Sequence, residues 1–170
     1  MKKFLLSIVL LMGGLMVSAQ TADDFKASLK RITKMVKLTQ TQPQDCGIAS
    51  VNELATESGK MAMESLQISQ TIHQLNKRIE ANDIDASLLE QLTGLGERIK
   101  SQTEATQSVT KKIPEASKEI AKIKNPLELK KATKSLSYSK NALQMTTEET
   151  IFQTKTIAAM IQTVSTANLK

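Results

Sequence analysis

Cys46 carries the only thiol in this sequence of 170 residues. A single cysteine excludes an internal disulfide, a C-x-x-C redox pair and a zinc site made of several thiolates. In an exported protein, an odd cysteine either stays a free thiol or forms a disulfide with a second copy of the chain. The sequence leaves both alternatives open for Cys46.

The other groups that could act in catalysis do not form a recognisable motif. His73 is the only histidine and has no Glu-x-x-His partner, which excludes the di-iron bundle signature. We find no C-x-x-C-H haem site, no glycine-rich phosphate loop and no G-x-S-x-G turn. The carboxylate pairs Glu53/Glu57 and Glu148/Glu149 are interpreted as surface charges. The sequence therefore predicts a protein that is not an enzyme, with no cofactor, no metal and no small-molecule substrate.

Lysines are the most abundant charged group, and 23 Lys+Arg stand against 17 Asp+Glu. They favour docking on an anionic membrane, an acidic envelope polymer or an acidic protein, whereas the alternative is a solvated face that confers solubility. Nucleic acid is disfavoured because only three residues are arginine and aromatic stacking platforms are scarce. The residues assigned to this surface are Lys30, Arg31, Lys34, Lys37, Lys111, Lys112, Lys118, Lys122, Lys130, Lys131 and Lys134.

Residues 1–19 have the pattern of a cleaved secretory signal peptide. Lys2 and Lys3 precede an apolar run over 4–16, and Ala19 provides the small residue expected at a cleavage site. Gln20 follows, rather than the cysteine of a lipoprotein signal. We therefore expect a secreted or periplasmic protein, whose formal charge falls from +6 to +4 when the two lysines are removed. No later segment is long and apolar enough to predict a membrane span.

The elements that must position these residues are predicted to be helices. An aromatic content of 2% argues against a β-sandwich or barrel. Apolar residues recur at alternating spacings of three and four over several heptads, which is typical of coiled-coil-like packing. We predict one all-α domain over 20–170, an elongated antiparallel up-down bundle with three long helices and a half-length N-terminal helix. The predicted helices cover about 22–38, 46–82, 86–124 and 126–168.

Local signals set the predicted helix ends. Asp45 is the expected cap of the second helix, and Ser87 begins a capping-box pattern before the third. Asn125 caps the fourth helix, with a proline at its first position. Pro114 is predicted to kink the third helix without breaking it, because the apolar spacing keeps its register on both sides.

The first helix has an apolar stripe of Phe25, Leu29, Ile32 and Val36. Folded back at Pro43, it is expected to bring Phe25 near Met61 and to lie at the end that contains the Asn125 turn. Residues 21–60 and 107–145 would then form a basic end with 15 basic and 8 acidic residues, a net +7.

The opposite end would consist of three helices and leave an apolar stripe uncovered. Such a stripe indicates self-association or binding to a protein partner, whereas the alternative is that three helices already bury it. Polar residues at seam positions, including Ser65, Gln102 and Thr146, are expected in one layer at mid-bundle that fixes register, or that forms a hydrated waist. The residues of the predicted contact surface are Ile68, Ile72, Leu75, Ile79, Leu88, Leu92, Ile157, Ile161 and Val164.

The general layout, a signal segment followed by helices, resembles exported helical bundles that serve as assembly subunits, such as minor-pilus components of conjugation machines. Periplasmic holdase chaperones are also small, basic and helical, although the trimeric kind begins with a strand that this chain lacks. No motif transfers residue by residue. The sequence predicts a binding or assembly module that acts through helix contacts, with adhesion through the basic end, holdase activity, or a place in a conjugation or secretion apparatus as alternatives.

Overall fold

The chain is all-helical throughout the part that the structure describes, which confirms the prediction of an all-α fold. This computed structural model describes residues 21–167, except for the side chain at position 86. Helices α2 and α5 share the largest interface, and the other three helices each pack against both of them. The predicted signal peptide, 1–19, lies outside the described residues. The helices are α1 (Ala22–Thr39), α2 (Ala49–Glu80), α3 (Ala86–Thr110), α4 (Ile113–Ile120) and α5 (Pro126–Ala167).

Side chains cap three of these helices. Thr21 accepts a hydrogen bond from the Asp24 N–H, and the Asp24 carboxylate accepts one from the Thr21 N–H at 2.8 Å, so α1 begins with a capping box. The prediction that Asn125 caps the last helix is confirmed, because its side-chain oxygen accepts from the Leu127 N–H at 3.0 Å. The predicted cap at Ser87 is wrong, since Asp85 accepts from the Leu88 N–H at 3.0 Å and caps α3.

Asp45 was expected to cap the second helix, and this prediction is also wrong. Helix α2 begins three residues later, after Ile48, without a side-chain cap. The Asp45 carboxylate instead accepts hydrogen bonds from the Gly47 N–H and the Asn52 side-chain amide. Gly47 has φ +78°, a conformation that favours glycine. Asp45 therefore stabilises the loop between α1 and α2 and does not cap α2.

Pro114 breaks the predicted third helix instead of kinking it. Helix α3 ends at Thr110, a turn follows at 111–112, and α4 begins with Pro114 in its first turn. Proline cannot donate a backbone hydrogen bond, and its ring clashes with the carbonyl four residues earlier, which here belongs to Thr110. The apolar register survives the break, because Val109 before it and Ala116 after it are both buried.

Helix α1 lies farther along α2 than predicted. The Phe25 ring contacts the rings of His73 and Phe152, at centroid distances of 5.3 and 5.2 Å, instead of Met61. The loop after α1 passes near Gly59 at Gln42 and reaches Asn52 at Cys46, so 40–48 run back beside α2.

The buried stripe of α1 also differs from the predicted one. Ser28 and Met35 are fully buried, whereas Leu29 is 51% exposed. The predicted stripe is therefore wrong at Leu29, because this face of α1 packs a polar side chain into the bundle.

The predicted apolar contact surface is part of the core. Eight of its nine residues are buried, and Ile79 packs against them partly buried. Phe25 of α1 lies on the same cluster, which means that α1 covers the end that was expected to be uncovered. The prediction of an exposed surface is therefore wrong for Ile68, Ile72, Leu75, Leu88, Leu92, Ile157, Ile161 and Val164.

Candidate functional site

A fully buried carboxylate, Glu149, lies at the centre of the bundle. It accepts hydrogen bonds from the hydroxyl of Ser28, from the hydroxyl of Ser69 at 2.6 Å and from Nε of Arg31 at 2.6 Å. These partners come from α1 and α2, so one carboxylate of α5 connects three helices. The interpretation of Glu149 as a surface charge is wrong, because its exposed fraction is 0%. Arg31 was assigned to an anion-binding surface, and this assignment is wrong as well, since its guanidinium pairs with Glu149.

Gln153 extends this polar layer by one turn of α5. Its amide nitrogen donates to the Ser65 carbonyl and to the Ser69 hydroxyl, each at 2.8 Å, and its oxygen accepts from the Gln102 amide at 3.0 Å. Ser65 and Gln102 thus lie in the mid-bundle layer for which they were predicted. The layer holds α1, α2, α3 and α5 in one register, because a slip of any helix would leave buried polar groups without partners.

Ser28, His73 and Glu149 are close together, but their order differs from that of a catalytic triad. In a triad the carboxylate binds the histidine, which in turn binds the serine. Here the single Ser28 hydroxyl proton goes to Glu149, so the Nε2–H of His73 must donate to Ser28, at 3.1 Å. The histidine therefore cannot accept the serine proton in this arrangement. The group acts as a structural hydrogen-bond network between α1, α2 and α5.

The pKa of His73 lies below its ordinary value of 6.5, mainly because burial disfavours the charged ring; the charge of Glu149 opposes this shift and that of Lys77 adds to it. The unfolded chain therefore binds more protons between the lowered pKa and about 6.5. We expect the free energy of unfolding to decrease as the pH falls through this window. Urea unfolding at several pH values should show a shallower decrease for His73→Gln, which keeps a donor for Ser28. Equal slopes in both proteins would contradict the role of His73.

Two carboxyl groups with lowered pKa values affect the stability at lower pH than His73 does. Backbone and side-chain hydrogen bonds lower the pKa of Asp24 and of Asp45, whose ordinary value is 3.8. Their contributions to stability are present above that value and are lost as the pH falls through the lowered pKa. The decrease that begins as the pH falls below about 6.5, before these carboxylates titrate, is thus assigned to His73.

A second feature, here called the basic tip, comprises 111–134: the α3–α4 turn, α4, the α4–α5 turn and the start of α5. It contains eight lysines and three glutamates, a net charge of +5. Lys112 bonds to Glu53 at 2.6 Å and to Glu57 at 2.8 Å, and Lys122 pairs with Glu119 at 2.6 Å. The other six lysines are exposed and form no ion pair within 21–167; they are Lys111, Lys118, Lys124, Lys130, Lys131 and Lys134.

The lysines of α1 do not join the basic tip. Lys30, Lys34 and Lys37 are exposed, but α1 lies beside the stretch of α2 between Gly59 and His73. The prediction of one basic end that includes the first helix is therefore wrong. The nine-residue loop, 40–48, allows α1 to pack at a distance from the Asn125 turn. In that position the hydrogen bonds of Ser28 and Arg31 to Glu149 hold α1 against the bundle.

Two exposed leucines lie inside the basic tip. Leu127 is 72% exposed and Leu129 is 40% exposed. Both follow Pro126 in the first turn of α5. The cap of α5 uses the Leu127 backbone N–H and not its side chain, so the cap does not require leucine there.

Cys46 is a free thiol, and its exposed fraction is only 3%. Its sulfur donates to the Asn52 side-chain oxygen at 3.2 Å, and its backbone N–H donates to the same oxygen at 3.1 Å. A cavity of about 230 Å³ lies beside this loop, lined among others by Gln42, Asp45 and Asn52. A disulfide with a second copy would require the loop to open, so the structure favours the free thiol.

None of the helices within 21–167 is long and apolar enough to cross a membrane. Comparison of the chain with protein-family models, with curated proteins and with solved structures finds no match. The function must therefore be argued from the residues and the geometry described above.

Proposed function

We propose that this protein is an exported, non-catalytic binding module that docks on an anionic surface through its basic tip. The proposal is carried by one observation, the six exposed lysines that form no ion pair with the described carboxylates. The apolar residues first assigned to helix assembly are buried and do not support that alternative. The holdase and secretion-apparatus alternatives rest on the general layout alone.

The proposal includes an elongated antiparallel up-down bundle with coiled-coil-like packing. Five residues, 81–85, connect α2 to α3, and another five, 121–125, connect α4 to α5. Short connections favour antiparallel neighbours. In this arrangement the α4–α5 turn lies at one end of the molecule, where its lysines can approach a flat surface together.

Export is also part of the proposal and rests on the signal pattern of 1–19. An exported protein meets lipid headgroups and envelope polymers, many of which carry phosphate or carboxylate groups. Lysine binds such groups as a point charge without a fixed geometry, whereas arginine forms a directional fork. The tip contains no arginine. We therefore propose recognition of charge density rather than of one particular ligand.

The proposal predicts binding that depends on salt and on the position of the charges. Each lysine near an anionic surface contributes about 1 kcal/mol, and salt screens this attraction within roughly 10 Å at 0.1 M. We expect Lys118→Glu, Lys124→Glu and Lys130→Glu together to elute from an immobilised polyanion, such as dextran sulfate, at a much lower salt concentration than the wild type.

The matched control changes the net charge by the same amount elsewhere. Lys30→Glu, Lys77→Glu and Lys100→Glu replace three exposed lysines on α1, α2 and α3. This control is expected to elute closer to the wild type than the tip variant does. Equal shifts for both triple variants would show that only the net charge matters, and the tip would then not be the binding site.

A further inference from the structure

The basic tip presents apolar surface as well as positive charge. Within 21–167 only five large apolar side chains are exposed, and Leu127 and Leu129 are two of them. The other three are Leu29, Met63 and Ile151, each on a different helix segment. Singly exposed apolar residues are common and need no explanation. Leu127 differs from the others because it is the most exposed of the five, at 72%, and has lysines on both sides of it in the sequence, Lys124 before and Lys130 after.

We propose that the anionic surface bound by the tip is a lipid bilayer, with Leu127 entering the edge of the hydrocarbon region and the lysines contacting headgroup phosphates. This inference rests on the proposed function and names its partner. A soluble polyanion or an acidic glycan offers charge but no apolar phase for a leucine side chain. A bilayer with anionic lipids offers both, because its headgroup phosphates lie directly above an apolar phase that a leucine side chain can enter.

The spacing of the residues fits this mode of binding. Lys122 and Lys124 precede Leu127, and Lys130 and Lys131 follow Leu129, so the leucines have lysines on both sides. The long stems of lysine side chains allow the ammonium groups to stay at the headgroups while neighbouring apolar residues go deeper.

Glu128, between the two leucines, is the one acidic residue of this stretch. Its carboxylate accepts a hydrogen bond from the Asn125 side chain at 3.4 Å and belongs to the helix cap. The carboxylate of Glu128, the one residue between the two leucines, is therefore hydrogen-bonded within the cap of α5.

The contribution of Leu127 to the affinity for a bilayer is expected to be large enough to measure. Complete transfer of a leucine side chain out of water changes an equilibrium by roughly tenfold to a hundredfold. Because Leu127 enters only the edge of the hydrocarbon region, Leu127→Ser should weaken binding to vesicles of phosphatidylglycerol and phosphatidylcholine by about tenfold, the lower end of this range, while binding to soluble dextran sulfate stays unchanged. Leu29→Ser is the matched control, because Leu29 is half exposed on α1, outside the tip. It is expected to bind both probes like the wild type.

Insertion itself is tested by Leu127→Trp, because the chain has no tryptophan of its own. Anionic vesicles should shift the tryptophan emission to shorter wavelength and protect it from acrylamide, whereas Leu29→Trp should show neither effect. Unchanged emission of Leu127→Trp on vesicles that bind the protein would overturn the inference.

The two probes separate this inference from the proposed function. Tip-dependent binding to dextran sulfate without binding to vesicles would overturn the bilayer and leave the proposed function standing. Binding to neither probe would overturn both. Vesicle binding that Leu127→Ser leaves unchanged would also overturn the bilayer insertion, because charge alone would then account for the affinity.

Discussion

Replacement of Glu149 with alanine is expected to lower the free energy of unfolding by about 3–5 kcal/mol, the usual cost of removing one partner from a buried ion pair. The carboxylate is fully buried and accepts three hydrogen bonds. Its removal leaves the hydroxyls of Ser28 and Ser69 without an acceptor and the Arg31 guanidinium without its counter-charge. Urea unfolding followed by circular dichroism measures this loss.

Glu148 provides the matched control for this experiment. It is the preceding residue of the same helix, is exposed, and accepts one hydrogen bond from Gln144 at the surface. Glu148→Ala is expected to change the free energy of unfolding by no more than about 0.5 kcal/mol. If Glu149→Ala is no more destabilising than Glu148→Ala, the buried network does not hold α1 to the bundle.

Gly59→Ala is expected to destabilise the protein, although alanine is the better helix former. A Cβ atom at Gly59 would lie 2.7 Å from the Tyr138 hydroxyl oxygen, closer than packing permits. Overpacking of this kind costs about 1–3 kcal/mol, against a gain of about 1 kcal/mol from helix propensity. Gly94→Ala is the control, because no heavy atom of the described residues outside its own helix turn and neighbours would meet its Cβ within 4 Å. It should be stabilising by about 1 kcal/mol.

Tyr138→Phe is expected to reverse the effect of Gly59→Ala. The Tyr138 hydroxyl is buried and has no hydrogen-bond partner among the described residues, so its removal sacrifices no bond. Without it, the closest ring carbon lies 3.6 Å from the new Cβ, an ordinary contact. The double variant should be at least as stable as the wild type. A double variant that shows the sum of two independent losses would contradict this packing.

The helices could be predicted from the sequence because their signals are local. Apolar spacing identified the long helices, and Asn125 and Pro126 fixed the start of α5 within one residue. Pro114 was predicted to kink the third helix. Whether a proline kinks or breaks a helix depends on how the segments before and after it pack against the rest of the protein. At 111–112 a turn replaces the helix, and the side chain of Lys112 in this turn bonds to Glu53 and Glu57 of α2.

The central polar network could not be predicted because its members are far apart in the sequence. Ser28 and Glu149 are 121 residues apart, and Ser69 and Glu149 are 80 residues apart. A signal was present nonetheless, since Glu149 lies three residues after Thr146 and four before Gln153, which are both seam residues. A charged residue is usually assigned to the surface. Its partners on the other helices become visible only in the folded chain.

The position of α1 was predicted wrongly for the same reason. Its apolar stripe did not reveal that Ser28 would face the bundle, nor that 40–48 would run back along α2. The lysines of 111–134 were assigned to a basic surface from the sequence, where they are close together, but the lysines of α1 were wrongly placed in the same basic end. The exposed leucines of the basic tip were missed, since Leu129 fits the apolar spacing of the helix.

The most direct test of the proposed binding surface is an NMR titration of the ¹⁵N-labelled protein with a short dextran sulfate. The basic tip should account for the response, with the largest amide shift changes confined to 111–134 and reversed by added salt. Comparable changes at the lysines of α1, or changes spread evenly over the exposed lysines of all helices, would contradict the account.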